Sequence, residues 1–70
     1  MNVLIIEDEI KAARKLSDLI TEVDNSIHII EVLGSVEESI KWFREHPSPD
    51  LIFSDIQLSD GLCFDIYKEA

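Results

Sequence analysis

Two unbroken apolar runs, Val3-Leu4-Ile5-Ile6 and Leu51-Ile52-Phe53, stand apart in a chain whose other apolar positions mostly recur at helical spacing. Each run is too short for a helix, and the lack of alternation suits strands covered on both faces, as in a parallel sheet. Both lead into carboxylates, Glu7 and Asp8 after the first and Asp55 after the second. Beyond Asp8, Ile10, Ala13, Leu16, Ile20 and Val23 recur every three or four residues, with Lys11, Arg14, Lys15, Asp18 and Glu22 in the gaps. That spacing predicts an amphipathic helix with Asp8 as its N-cap, closed by the turn chemistry of Asp24-Asn25-Ser26. Residues 27–33 read as a second strand, and the polar interruptions at His28 and Glu31 suit an edge position.

Gly34 turns the chain, and Ser35-Val36-Glu37-Glu38 is a capping box that opens a second helix. Val36, Ile40 and Phe43 share one face of it, and Pro47 and Pro49 end it because neither has a backbone N–H to continue the ladder. The third strand follows, then a turn at Asp60-Gly61 that leads into residues 62–70. In that last stretch Leu62 and Ile66, or Phe64 and Tyr67, supply a buried stripe.

The predicted order is β-α-β-α-β-α. Crossovers between parallel strands are right-handed in nearly all cases, so the strands lie 1-2-3 if both helices cover one face, and 2-1-3 if the helices cover opposite faces. The polar marks on residues 27–33 assign that strand to an edge, and the unbroken run at residues 3–6 assigns the first strand to the centre. The expectation is therefore an α/β fold with a parallel sheet in the order 2-1-3. Open sheets of this kind place ligands at the carboxyl ends of the strands, at the point where the strand order switches. Glu7, Asp8 and Asp55 should meet in that crevice.

Composition narrows the function. Seventy residues hold one domain at most. Fifteen acids against six bases give a net charge of −9, which argues against nucleic-acid binding by this segment, since phosphate contacts need Lys and Arg. One cysteine, Cys63, makes no internal disulfide and suits a reducing, cytoplasmic setting. The apolar run after Met1 is too short for a signal peptide, and no stretch reaches the length of a membrane span.

Carboxylates brought together need a partner. Two of them about 5 Å apart repel by roughly 3 kcal/mol at an effective dielectric near 20, so three call for either protonation or a cation. A hard divalent ion fits an all-oxygen set, and Mg²⁺ commonly takes one or two carboxylates and completes its shell with water and phosphate oxygens. An Asp held beside such an ion is an established nucleophile toward phosphoryl groups.

On these residues the chain resembles the receiver domains of two-component response regulators. The resemblance rests on Ile5-Ile6-Glu7-Asp8-Glu9, on Asp50-Leu51-Ile52-Phe53-Ser54-Asp55 and on Leu58-Ser59-Asp60-Gly61. It implies a flavodoxin-like receiver fold, of which residues 1–70 are the N-terminal part, ending at the start of a third helix. It implies that Asp55 accepts a phosphoryl group from a phosphohistidine on a sensor histidine kinase. It also implies that Asp8 binds Mg²⁺ directly, Glu7 directly or through water, and Gln57 through its backbone carbonyl, with Asp60 and Gly61 as turn residues. On this reading the chain is a phosphoacceptor that promotes only its own phosphorylation and dephosphorylation, not an enzyme acting on other substrates. Residues 55–62 are most similar to receivers joined to LytTR-type DNA-binding domains, which implies a role in transcription control.

Two departures stand out: Ser59 occupies a position where many receivers have Pro, and family receivers run to about 120 residues. The resemblance therefore assigns strands four and five, with the Ser/Thr and Lys that hold the phosphoryl group, to sequence beyond residue 70. It leaves the third strand an open edge and one sheet face partly bare, surfaces that favour self-association.

Other readings of the same residues are blander. A receiver-like module used only for docking has no need of the acidic trio. Asp55 alone could be a strand-end turn carboxylate, and Glu7-Asp8 a solvated helix start. His28 and His46 have no acid or thiol at ligand spacing and read as surface positions, while Cys63 and Trp42 read as packing residues. An EF-hand starting at Asp55 would need Gly and Glu where Asp60 and Ile66 stand. A dehalogenase-type phosphatase would need Asp at position 57, which is Gln.

Overall fold

The computed structural model describes residues 1–55 and 57–69, the side chains of Gln57 and Glu69 excepted. Ile56 of the Asp55 motif and Ala70 of the last predicted stretch lie outside the described residues. The elements are β1 (Asn2–Ile6), α1 (Ile10–Val23), β2 (His28–Leu33), α2 (Val36–Glu45), β3 (Leu51–Ser54), β4 (Gln57–Leu58), β5 (Gly61–Leu62) and α3 (Cys63–Glu69). β1 pairs in parallel with β2 on one side and β3 on the other, giving the order β2-β1-β3.

β1 is central because it can be apolar on both faces, and residues Val3, Leu4, Ile5 and Ile6 are all fully buried. Its alternation divides the core. Ile5 joins Ala13 and Ile20 of α1, with Leu16, Ile29 and Phe53 against them. Leu4 and Ile6 join Leu33, Val36, Trp42, Leu58, Cys63 and Ile66 on the α2–α3 side. The first and second helices thus cover opposite faces, as the order 2-1-3 requires. The β1–β2 register skips Ile30, pairing Val3 with Ile29 and Leu4 with Glu31. Ile29 packs toward α1 and Ile30 on the α2 side by ordinary strand alternation, and the bulge resets the phase so that Leu33, opposite Ile6, also faces α2.

Several local expectations need correction. The N-cap of α1 is Glu9, not Asp8; the Glu9 carboxylate accepts a hydrogen bond from the Lys11 N–H at 3.3 Å. Ile10 and Val23, assigned to the buried stripe of α1, are 74% and 85% exposed, because the stripe runs past both ends of the sheet that it packs on. In α3 the buried residues are Cys63 and Ile66, while Leu62, Phe64 and Tyr67 are exposed. Neither expected pairing holds, since the β4–β5 hairpin, absent from the sequence expectation, starts the helix in a different phase. Ser35 does cap α2, its hydroxyl accepting from the Glu38 N–H at 3.1 Å. The return bond differs from the standard box: Glu38 accepts from the Gly34 N–H at 2.9 Å.

His28 and His46 are exposed. The His46 ring stacks on Trp42 at 4.6 Å between centroids, and Trp42 and Cys63 are buried packing residues. Among the described residues no helix is long and apolar enough to cross a membrane.

Candidate functional site

The carboxyl ends of β1 and β3 are held side by side by the backbone. The Asp55 N–H donates to the Ile6 carbonyl at 2.9 Å, and the Glu7 N–H donates to the Leu33 carbonyl at the same distance. The opposite rim is fixed as well, with the Asp50 carboxylate accepting from the Asn2 N–H at 2.7 Å. These bonds set where each chain leaves the sheet, so the acidic residues beyond the strands emerge at one end.

There Glu7, Asp8 and Asp55 come together: one carboxylate oxygen from each lies within 4.8 Å of the others. Glu7 and Asp55 are half-buried and Asp8 is exposed, so the group is open to an incoming molecule. With Glu9 capping α1, Asp8 is not committed to the helix end. Glu7 has a second task, since its carboxylate accepts from the Glu9 N–H at 3.0 Å and so fixes the turn into α1. Gln57, whose backbone carbonyl is implied as a ligand, sits in β4 two residues beyond Asp55, with its backbone paired to Leu62.

A cleft of about 340 Å³ runs from Glu7 and Asp8 along α1 past Arg14, Ser17 and Asp18 to Val32. Arg14, assigned by its spacing only to the solvated face of α1, here lines the same cleft as Glu7 and Asp8. No local signal marks that role, because it depends on the angle at which α1 crosses the sheet.

Asp60 is the other residue whose role the sequence understates. It is a turn residue, as expected, but its carboxylate also accepts from the Val36 N–H at 2.8 Å and the Glu37 N–H at 3.1 Å, at the start of α2. Together with Ser35, it supplies acceptors for the first three amides of that helix, which have no partner inside the helix. A carboxylate there also complements the positive end of the helix dipole.

These bonds from Val36 and Glu37 hold the Asp60 carboxyl below its ordinary value of 3.8. Asp24 is lowered likewise by the Ser26 hydroxyl and N–H. A depressed carboxyl binds its proton less readily in the folded chain than in the unfolded one, so each contributes stability above pH 3.8 that is lost as pH falls through the lower folded value. The urea midpoint is expected to drop on acidification through that window, and to drop less steeply in Asp60→Asn. An identical acid slope in the variant would contradict the assignment.

Comparison of the chain with protein-family models, curated proteins and solved structures returned no match.

Proposed function

We propose that this chain is a phosphoacceptor of the receiver type, in which Asp55 takes a phosphoryl group from a phosphohistidine on a sensor histidine kinase. The observation that carries this reading is the meeting of Glu7, Asp8 and Asp55 at the switch point between β1 and β3. A docking module without chemistry would leave three like charges crowded together to no purpose.

The donor set suits a hard divalent cation, since it is all oxygen and partly open to water. One oxygen from each of the three carboxylates lies within 4.8 Å of the others, so the set could hold one such ion. Asp8 and Asp55 would hold Mg²⁺ directly, Glu7 directly or through water, and Gln57 through its carbonyl. When bound, the ion neutralises phosphoryl charge as it builds up. A carboxylate oxygen of Asp55 attacks phosphorus, the P–N bond of the donor breaks, and its electron pair leaves with the imidazole nitrogen, which is protonated. The product is an aspartyl phosphate. Glu7 and Asp8 also repel an incoming phosphoryl group unless a cation offsets their charge, which makes the reaction metal-dependent. Acetyl phosphate with Mg²⁺ is expected to add one acid-labile phosphoryl group to the intact mass, and an unchanged mass under these conditions would contradict the proposal.

The likeness of residues 55–62 to LytTR-linked receivers supports transcription control as the output, exercised in the cytoplasm by a DNA-binding segment outside these 70 residues. A second copy of the chain is a further proposed partner. β3 is bonded to β1 on one side only among the described residues. An apolar recess lies beside it, lined by Leu19, Ile20, Val23, Ile27 and Phe53. Edges of this kind pair with other chains. The net charge of −9 opposes association, so sedimentation at micromolar concentration is expected to show species larger than a monomer, increasing with added salt. A monomer at every salt concentration would rule this out.

A further inference from the structure

We propose that Asp60 is a positioning residue for Asp55, closing a ring of hydrogen bonds around the carboxyl rim of the sheet. The ring can be followed residue by residue. The Asp55 N–H is bonded to Ile6 at the end of β1, and the next residue, Glu7, donates to Leu33 at the end of β2. From Leu33 the chain passes through Gly34 and Ser35 into α2. The Val36 and Glu37 amides then bond across to the Asp60 carboxylate, twenty-four and twenty-three residues away in sequence. From Asp60 the β4–β5 hairpin leads back through Leu58, which is buried, to Gln57 and the acceptor segment.

Without Asp60 the circuit is open. The segment beyond Asp55 would be tied to the sheet at the Asp55 amide and to the core at Leu58, and packing alone, without a hydrogen bond from Asp60, would join its turn to α2. Packing at the turn shows how closely the two parts fit. Gly61 has φ +152, and a Cβ placed there would stand 3.0 Å from Asp65 Oδ2 and 3.4 Å from Val36 Cγ2. The hairpin thus lies directly against the first turn of α2, in a backbone conformation that favours glycine. Ser35 provides the natural contrast. It caps the same helix end from within its own turn, through Glu38, and among the described residues its side chain makes no bond to the hairpin.

This contrast defines the experiment. Asp60→Ala and Ser35→Ala both remove an acceptor from the start of α2 and both should weaken the helix. Only the first should release Asp55. In metal-free protein, the Asp55 amide of Asp60→Ala is expected to exchange with solvent about tenfold faster relative to the Ile5 amide, whereas in Ser35→Ala that ratio should stay within about twofold of wild type. Mg²⁺ affinity, measured by calorimetric titration of the metal alone, should fall about tenfold in Asp60→Ala, the scale seen when a residue supporting a ligand is lost, and remain near wild type in Ser35→Ala.

Asp60→Asn keeps an acceptor oxygen, is read in the same way should the alanine variant fail to fold, and is expected to lie between wild type and Asp60→Ala. Equal effects of Ser35→Ala and the Asp60 variants on the Asp55 amide, or no effect of either, would overturn the positioning role. The affinity readout rests on the phosphoacceptor reading and the exchange readout does not. A wild-type protein that binds no Mg²⁺ would therefore count against that reading, while the amide ratio would still decide the role of Asp60.

Discussion

Asp55→Asn is expected to take up no phosphoryl group from acetyl phosphate under conditions where the wild-type chain gains one. The amide of Asn carries no charge and is a poor nucleophile, so phosphorus has no group to attack it at this position. Glu7 and Asp8 do not substitute, because they leave β1 on the other side of the switch point and Glu7 is engaged with the Glu9 N–H. The fold should survive, since the hydrogen bond from residue 55 to Ile6 is made by the backbone. Removing one of three crowded like charges should in fact raise the melting temperature of the metal-free protein by a few degrees, because the remaining pair repels less. Added Mg²⁺ should stabilise wild type more than the variant, since a ligand that binds only the folded state shifts unfolding by mass action. A variant that is phosphorylated like wild type would remove Asp55 from the mechanism. A variant that melts well below wild type would show that its side chain holds the fold instead.

Ile66→Ala is expected to cost about 2–5 kcal/mol, close to the whole stability of a chain this small. Ile66 has no exposed surface and fills the space between α3 and the cluster of Leu4, Ile6, Leu33 and Trp42. Truncating it leaves a cavity in the larger half of the core. Phe64→Ala, two residues away on the same helix, should change stability by no more than about 0.5 kcal/mol, because Phe64 is 58% exposed. Urea unfolding of both variants checks the phase of α3. Equal losses, or a larger loss at Phe64, would mean that the helix presents a different face to the sheet.

That phase was beyond reach of the sequence, for an identifiable reason. Seven residues make about two turns of helix, too few for periodicity to choose between Leu62 with Ile66 and Phe64 with Tyr67. The choice is made by the β4–β5 hairpin, whose pairing of Gln57 with Leu62 sets where the helix begins. The sheet was legible because its signals are redundant. An unbroken run at residues 3–6 and the polar breaks at His28 and Glu31 both speak to strand order, and the observed order β2-β1-β3 agrees with them.

The meeting of Glu7, Asp8 and Asp55 followed from that order alone. Helix ends were read less well. Residue type favours Asp8 as the cap of α1, but the backbone enters the helix one residue later, at Glu9. The bonds of Asp60 to Val36 and Glu37 span more than twenty residues, a distance over which no local pattern carries information. Ile10 and Val23 show the limit of a hydrophobic stripe: it marks the face of a helix that turns inward, not how far along that face the sheet extends.

The central claim is that Asp55 itself carries the phosphoryl group, and borohydride trapping tests it most directly. An aspartyl phosphate is an acyl phosphate, so reduction after treatment with acetyl phosphate and Mg²⁺ converts the modified side chain to an alcohol that peptide mass mapping locates. The expected result is a single reduced residue at position 55, absent when Mg²⁺ is withheld. Reduction at another carboxylate, or none in a protein shown to be folded, would contradict it.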